Sequence, residues 1–174
     1  VRINFISQPL RRLESNNNIC FEHLKIICQI LSEDKRKNYL ITIFKHPSEE
    51  NNKWDGINSL CFRNIKINSK FFYKLSELQN SKLLISYNST LMYEALYLGI
   101  PCISLGLGVI KEKNYIDKLK LSKRIEEIDQ LKIFFKNFQY DQESQRLSTL
   151  SSQLQKESIF FSDGNATKKI IENI

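Results

Sequence analysis

Glycine, proline, cysteine and histidine are all scarce in this 174-residue chain, at five, three, four and two residues. Cys20, Cys28, Cys61 and Cys102 form no C-x-x-C pair, and both histidines lie far from them in sequence, so a zinc site has little support. The expectation is four reduced thiols, mostly buried as small hydrophobes, and no metal. No apolar run approaches the roughly eighteen residues that a membrane-crossing helix needs, and the opening V-R-I-N-F-I-S lacks the layout of a secretory leader. The absence of a G-K-[ST] loop excludes a P-loop ATPase, and the absence of G-x-S-x-G argues against a hydrolase built on that elbow. No methionine begins the chain and Val1 opens directly on a strand pattern, which suggests a fragment of a longer protein.

Charge of one sign is in excess, with 26 Lys and Arg against 19 Asp and Glu, a net +7. That balance suits an anionic partner such as a phosphorylated small molecule or an acidic membrane surface. The lysines are spread from Lys25 to Lys169, with no basic run interleaved with aromatics, so no nucleic-acid partner is expected. The expected location is the cytoplasm, with peripheral contact at the inner face of the membrane left open.

With 41% hydrophobic residues, the chain can bury a core as a single domain, 1–174. Its organising stretch is Lys82 to Gly108. Leu83 to Ile85 reads as a strand buried on both faces. Ser86 to Thr90 supplies small polar residues for a turn and an N-cap. Leu91 to Leu98 reads as a helix with Leu91, Ala95 and Leu98 facing the sheet. Gly99 and Pro101 stop it, and Cys102 to Leu105 is the next buried strand. Around this β–α–β unit, strands are expected at Ile3–Ile6, Tyr39–Phe44, Leu60–Ile67 and, at an edge, Leu121–Ile125. Helices are expected over Phe21–Leu31, Phe71–Leu78, Glu126–Phe138, Ser144–Lys156 and Ala166–Ile174. The alternation predicts a three-layer α/β domain with about five or six parallel strands.

Ligands of such sheets bind beyond the carboxyl ends of the strands, where helix N-termini offer N–H groups to anions. Asn88, Ser89, Thr90 and Glu94 lie at one such end. Glu94 is out of register for a capping box with Ser89 or Thr90, and it has no basic neighbour one turn away. Hydroxyls at the helix start could hold a phosphate and Glu94 the hydroxyls of a ribose; an N-cap followed by a solvated glutamate fits equally. Lys45-His46-Pro47 ends another strand at the same sheet edge, where His46 could donate to a phosphate or steady a departing nucleotide. Gln8 follows the first strand and could contact ligand. Gly106 and Gly108 match a dinucleotide fingerprint only weakly, and His23, on an amphipathic helix, reads as structural.

Gln8-Pro9, His46-Pro47, Asn88-Ser89-Thr90 and Glu94-Ala95…Gly99-Ile100-Pro101 together resemble the C-terminal nucleotide-sugar-binding, Rossmann-like half of GT-B glycosyltransferases. The resemblance is closest to bacterial sialyltransferases and polysialyltransferases with their HP and S-S/T motifs. It implies His46 as a catalytic residue stabilising the leaving phosphate. It also implies Gln8, Lys45, Asn88, Ser89, Thr90 and Glu94 as the donor site. The donor would be a nucleotide sugar, CMP-linked more readily than UDP-linked, serving as substrate with no cofactor. Asn88 to Pro101 is also similar to the same turn of UDP-N-acetylglucosamine 2-epimerases, and Asp163-Gly164-Asn165-Ala166 resembles the D-G-x-A before their last helix. This gives as the alternative a UDP-sugar enzyme domain or a nucleotide-binding module without catalysis of its own. The acidic motif carrying the base of the sialyltransferase group is absent, so the resemblance implies a partner: an N-terminal acceptor domain in the same parent protein.

Overall fold

Strands β1 (Arg2–Ile6), β2 (Tyr39–Phe44), β3 (Ile65–Lys70), β4 (Leu83–Ser86), β5 (Cys102–Leu105) and β6 (Ser122–Ile125) form one sheet. Every pairing is parallel, in the order β3-β2-β1-β4-β5-β6. This is a computed structural model, and it describes residues 1–10, 19–49, 51–60, 62–71, 75–108 and 110–156. The loop with Arg11 and Arg12, Cys61, the 163–166 turn and the helix expected over 166–174 lie outside the described residues.

Alternation along the central strands feeds two separate cores. Ile3 and Phe5, Ile41 and Ile43, Leu83 and Ile85 point to one face, where they meet α1 (Ile19–Glu33), a 3-10 helix (Asn51–Ser59) and Leu131 of α5 (Ile128–Asn137). Ile6, Phe44, Leu84 and Cys102 point to the other. There they meet α2 (Leu75–Gln79), α3 (Leu91–Tyr97), α4 (Tyr115–Lys118) and α6 (Tyr140–Lys156). Strands β4 and β5 are buried at every position, as continuous apolar runs in the middle of a parallel sheet require. The domain is therefore the three-layer α/β fold expected.

Two expectations need correction. The third strand is Ile65–Lys70, not Leu60–Ile67. Leu60 and Phe62 are apolar because they pack on the core from a loop. The loop ends at Asn64, whose amide donates to the carbonyls of Leu31, Asp34 and Lys37. Second, α3 buries Met92, Ala95 and Leu96, leaving Leu91 and Leu98 half-buried, so the helix is rotated from the expected face. One helix is additional to those expected: α4, in the charged segment 111–120, is started by a reciprocal capping box between Asn114 and Asp117.

The end of α3 is well determined. Gly99, at φ 71°, bonds its N–H to Leu96 O at 3.0 Å, and Ile100 N–H reaches Ala95 O at 2.8 Å. Those two bonds make a Schellman motif, in which the left-handed position favours glycine. Cys20, Cys28 and Cys102 are buried and free, and burial pushes the Cys28 thiol up to about 12.

Candidate functional site

Strand order reverses between β1 and β4: the chain runs outward from β1 through β2 to β3, then crosses back to β4. The carboxyl ends of these two neighbours therefore frame the crevice where ligands of open α/β sheets bind. Ser7-Gln8 leaves from one side and Tyr87-Asn88-Ser89 from the other. Gln8 spans the gap: its Nε2 donates to Asn88 O and its Oε1 accepts from Asn88 N, both at 2.7 Å. This amide grips the backbone across the crevice.

The next strand end is β2, where His46 is exposed. Ser48 N–H donates to His46 Nδ1 at 3.1 Å, so Nδ1 is an acceptor and the neutral ring carries its proton on Nε2. Ser48 Oγ also lies 2.8 Å from Nδ1. His46 is thus set as a donor through Nε2. Glu49, three residues on, is buried. Its Oε1 accepts from Ser7 Oγ at 2.5 Å and Lys53 Nζ at 2.7 Å, and its Oε2 from His46 N at 3.1 Å and Trp54 Nε1 at 3.4 Å. Phe5 holds this corner from below, edge-on to Trp54 and Tyr87 with centroids 6.2 and 6.4 Å apart, pairs worth about 0.5–1.5 kcal/mol each.

At the start of α3, Ser89 Oγ accepts from Leu91 N at 3.3 Å, and Met92 N and Tyr93 N bond back to Ser89 O and Thr90 O. These first-turn N–H groups are taken because Thr90 already has helical geometry, φ −60° and ψ −27°. An anion here would meet hydroxyls before backbone. Thr90 is exposed, as is Glu94 one turn on. Lys45 is set apart: its N–H bonds Lys70 O at 2.7 Å and its ammonium lies 4.7 Å from the Phe71 ring centroid, on the β3 side. The structure thus brings Gln8 and Asn88 into contact and leaves Lys45 turned toward β3.

His23, on α1 as expected, packs against Tyr87. Its Nδ1 is 2.8 Å from Tyr87 Oη and its ring stacks on that tyrosine. It lines a hollow of about 600 Å³ with Leu107, Gly108, Glu126, Glu127 and Ile128, past the carboxyl ends of β5 and β6. Burial holds its pKa below the usual histidine range, with Glu22 opposing. The glycine after β5 serves a neighbour: a Cβ on Gly106 would lie 2.6 Å from Arg124 Nη2. Arg124 is itself nearly buried, donating to Ser104 Oγ, Asp117 Oδ2 and Ile110 O. Among the described residues, no group of three His, Cys, Asp or Glu side chains could hold a metal ion.

No protein-family model matches the sequence, and no curated protein matches it. Solved structures do match in shape. A UDP-GlcNAc 2-epimerase from Neisseria meningitidis, bound to UDP-GlcNAc, superposes with a TM-score of 0.61 at 17% identity, over 99% of this chain and 43% of its own. One from Methanocaldococcus jannaschii, in complex with UDP-GlcNAc and UDP, gives 0.52 at 18% identity, over 87% and 45%. A putative one from Listeria monocytogenes gives 0.54 at 10%, over 84% and 38%. The fold matches a Rossmann-like half of GT-B. The chain spans less than half the length of each of these three structures. At these identities the likeness establishes the fold; none of the three is a sialyltransferase. As to location, no helix among the described residues is long and apolar enough to cross a membrane.

Proposed function

We propose that this domain binds a nucleotide sugar, UDP-linked, in the crevice between β1 and β4, as one half of a two-domain sugar-nucleotide enzyme. The observation that carries the reading is the convergence of His46, the Gln8–Asn88 clamp and Ser89 at the carboxyl edge around the switch point. In this reading His46 Nε2–H and the hydroxyls of Ser89 and Thr90 bind the phosphates, and Glu94 accepts from the ribose. Support for a UDP ligand comes from the neighbours in shape, two of which carry UDP-GlcNAc in the solved structures. A sialyltransferase donor half using CMP-sialate is the second reading, favoured by the His46-Pro47 and Ser89-Thr90 pairs alone.

Titration of the labelled domain with UDP, UDP-GlcNAc, CMP and inorganic phosphate, followed by amide NMR, separates them. The expected result is saturable shifts at His46, Asn88 and Ser89 with UDP bound more tightly than CMP. His46→Ala and Ser89→Ala should each weaken UDP by about tenfold, the loss of one hydrogen bond to a charged group. A preference for CMP would favour the second reading. No response to any nucleotide would end both.

A further inference from the structure

Glu49 joins the segments that follow β1 and β2 to the 3-10 helix, and its side chain is 1% exposed. Its four partners are all donors, two to each oxygen: Ser7 Oγ and Lys53 Nζ on Oε1, His46 N and Trp54 Nε1 on Oε2. Only a carboxylate accepts at both oxygens. A glutamine of identical shape must set its NH2 against the Lys53 ammonium in one orientation, or against the N–H groups of His46 and Trp54 in the other. Lys53 carries the connection on, donating also to Gln8 O at 3.4 Å, and Gln8 grips Asn88. A continuous polar chain thus runs from the backbone of His46, through Glu49 and Lys53, to the far wall of the crevice.

We propose that Glu49 is the positioning residue of the candidate site, using its buried charge to fix His46 and the Gln8–Asn88 clamp relative to each other. It touches no ligand. Its effect passes through the backbone N–H of His46 and through Ser7, Lys53 and Gln8. Leaving a buried donor set without its acceptor is costly, because each group loses its hydrogen bond while remaining out of water. The crevice wall then relaxes to recover partners. The role rests on the nucleotide-sugar reading above.

The test compares wild type, Glu49→Gln and Ser7→Ala for UDP affinity by calorimetry and for the amide shift of Asn88, with thermal unfolding as the control for folding. Ser7→Ala removes one donor and leaves the carboxylate with three, so it stays informative if Glu49→Gln fails to fold. The expected result is a loss of UDP affinity of about tenfold or more in Glu49→Gln and a few-fold in Ser7→Ala. In both, the Asn88 amide should move before any ligand is added, a signal that general destabilisation would not confine to the crevice. Wild type that binds UDP, with folded variants binding equally well and an unmoved Asn88 amide, overturns the positioning role and leaves the nucleotide reading standing. Wild type that binds no nucleotide overturns that reading first.

Discussion

Replacing Gly106 by alanine inserts a single methyl group where the structure has room for none. The new Cβ would sit 2.6 Å from Arg124 Nη2 and 3.0 Å from both Cζ and Nε. Gly106 is not among the positive-φ residues, so the backbone itself accepts alanine and the whole cost falls on the contact. A long arginine would ordinarily swing away. This one is held by Ser104, Asp117 and the carbonyl of Ile110, and Asp117 is also engaged by Ser104 and Ser122. Moving the guanidinium therefore gives up hydrogen bonds to a carboxylate whose side chain is 0% exposed. Overpacking of this kind costs about 1–3 kcal/mol, and about 2 is expected here. With a urea slope of about 2 kcal/mol per M, the midpoint should fall by about 1 M.

Urea unfolding followed by far-UV dichroism reads this directly, and a double-mutant cycle tests the cause. Arg124→Met alone should be the more damaging change, by about 3–5 kcal/mol, since it leaves the buried Asp117 charge without its cation. In the Arg124→Met background, Gly106→Ala should cost almost nothing, and could gain about 0.4–1 kcal/mol by stiffening the unfolded chain. Equal penalties for Gly106→Ala in the two backgrounds would refute the reasoning, as would a single mutant within about 0.5 kcal/mol of wild type.

Gly99→Ala should destabilise by about 1–2 kcal/mol, because φ 71° is left-handed and the nearest group, Ser144 Oγ at 3.9 Å, leaves space but no conformational relief; thermal melts would detect it. His23 makes stability pH-dependent. Its folded pKa is lowered by burial, so the unfolded chain takes the proton first, and stability falls as pH drops below the unfolded value of about 6.5. Denaturation midpoints between pH 8 and pH 5 should fall more steeply in wild type than in His23→Gln, and identical slopes would count against it.

How much was readable in advance depended on where each residue's partners lie. The β4–α3–β5 unit was legible because its strands are apolar throughout and its helix ends at Gly99-Ile100-Pro101, all local signals. Strand β3 was misplaced because it lies at the sheet's edge and exposes Lys66, Asn68, Ser69 and Lys70, while the apolar Leu60 and Phe62 just before it serve a loop. The α4 capping box was present as Asn114 and Asp117 three apart, but charge around it obscured it. Candidate residues at strand ends could be named from their sequence positions. Their working partners could not: Gln8 meets Asn88 eighty residues away, and Ser7 reaches Glu49 across forty-two. Glu49 did carry a faint signal, a carboxylate four residues before Lys53 and three after His46. His23 carried none, since Tyr87 is sixty-four residues distant.

The clamp across the crevice also bears on the order in which the molecule assembles. β1 finds β2 through contacts spanning about forty residues, whereas its pairing with β4 closes a loop twice as long, at a higher entropic cost before any bond repays it. The crevice has no walls until that second closure is made. A chain emerging during synthesis would own the His46 corner well before it owned Asn88. Anything that binds between the two walls would therefore recognise only a chain whose sheet is already joined across its middle, and would draw the folding equilibrium toward that state by mass action.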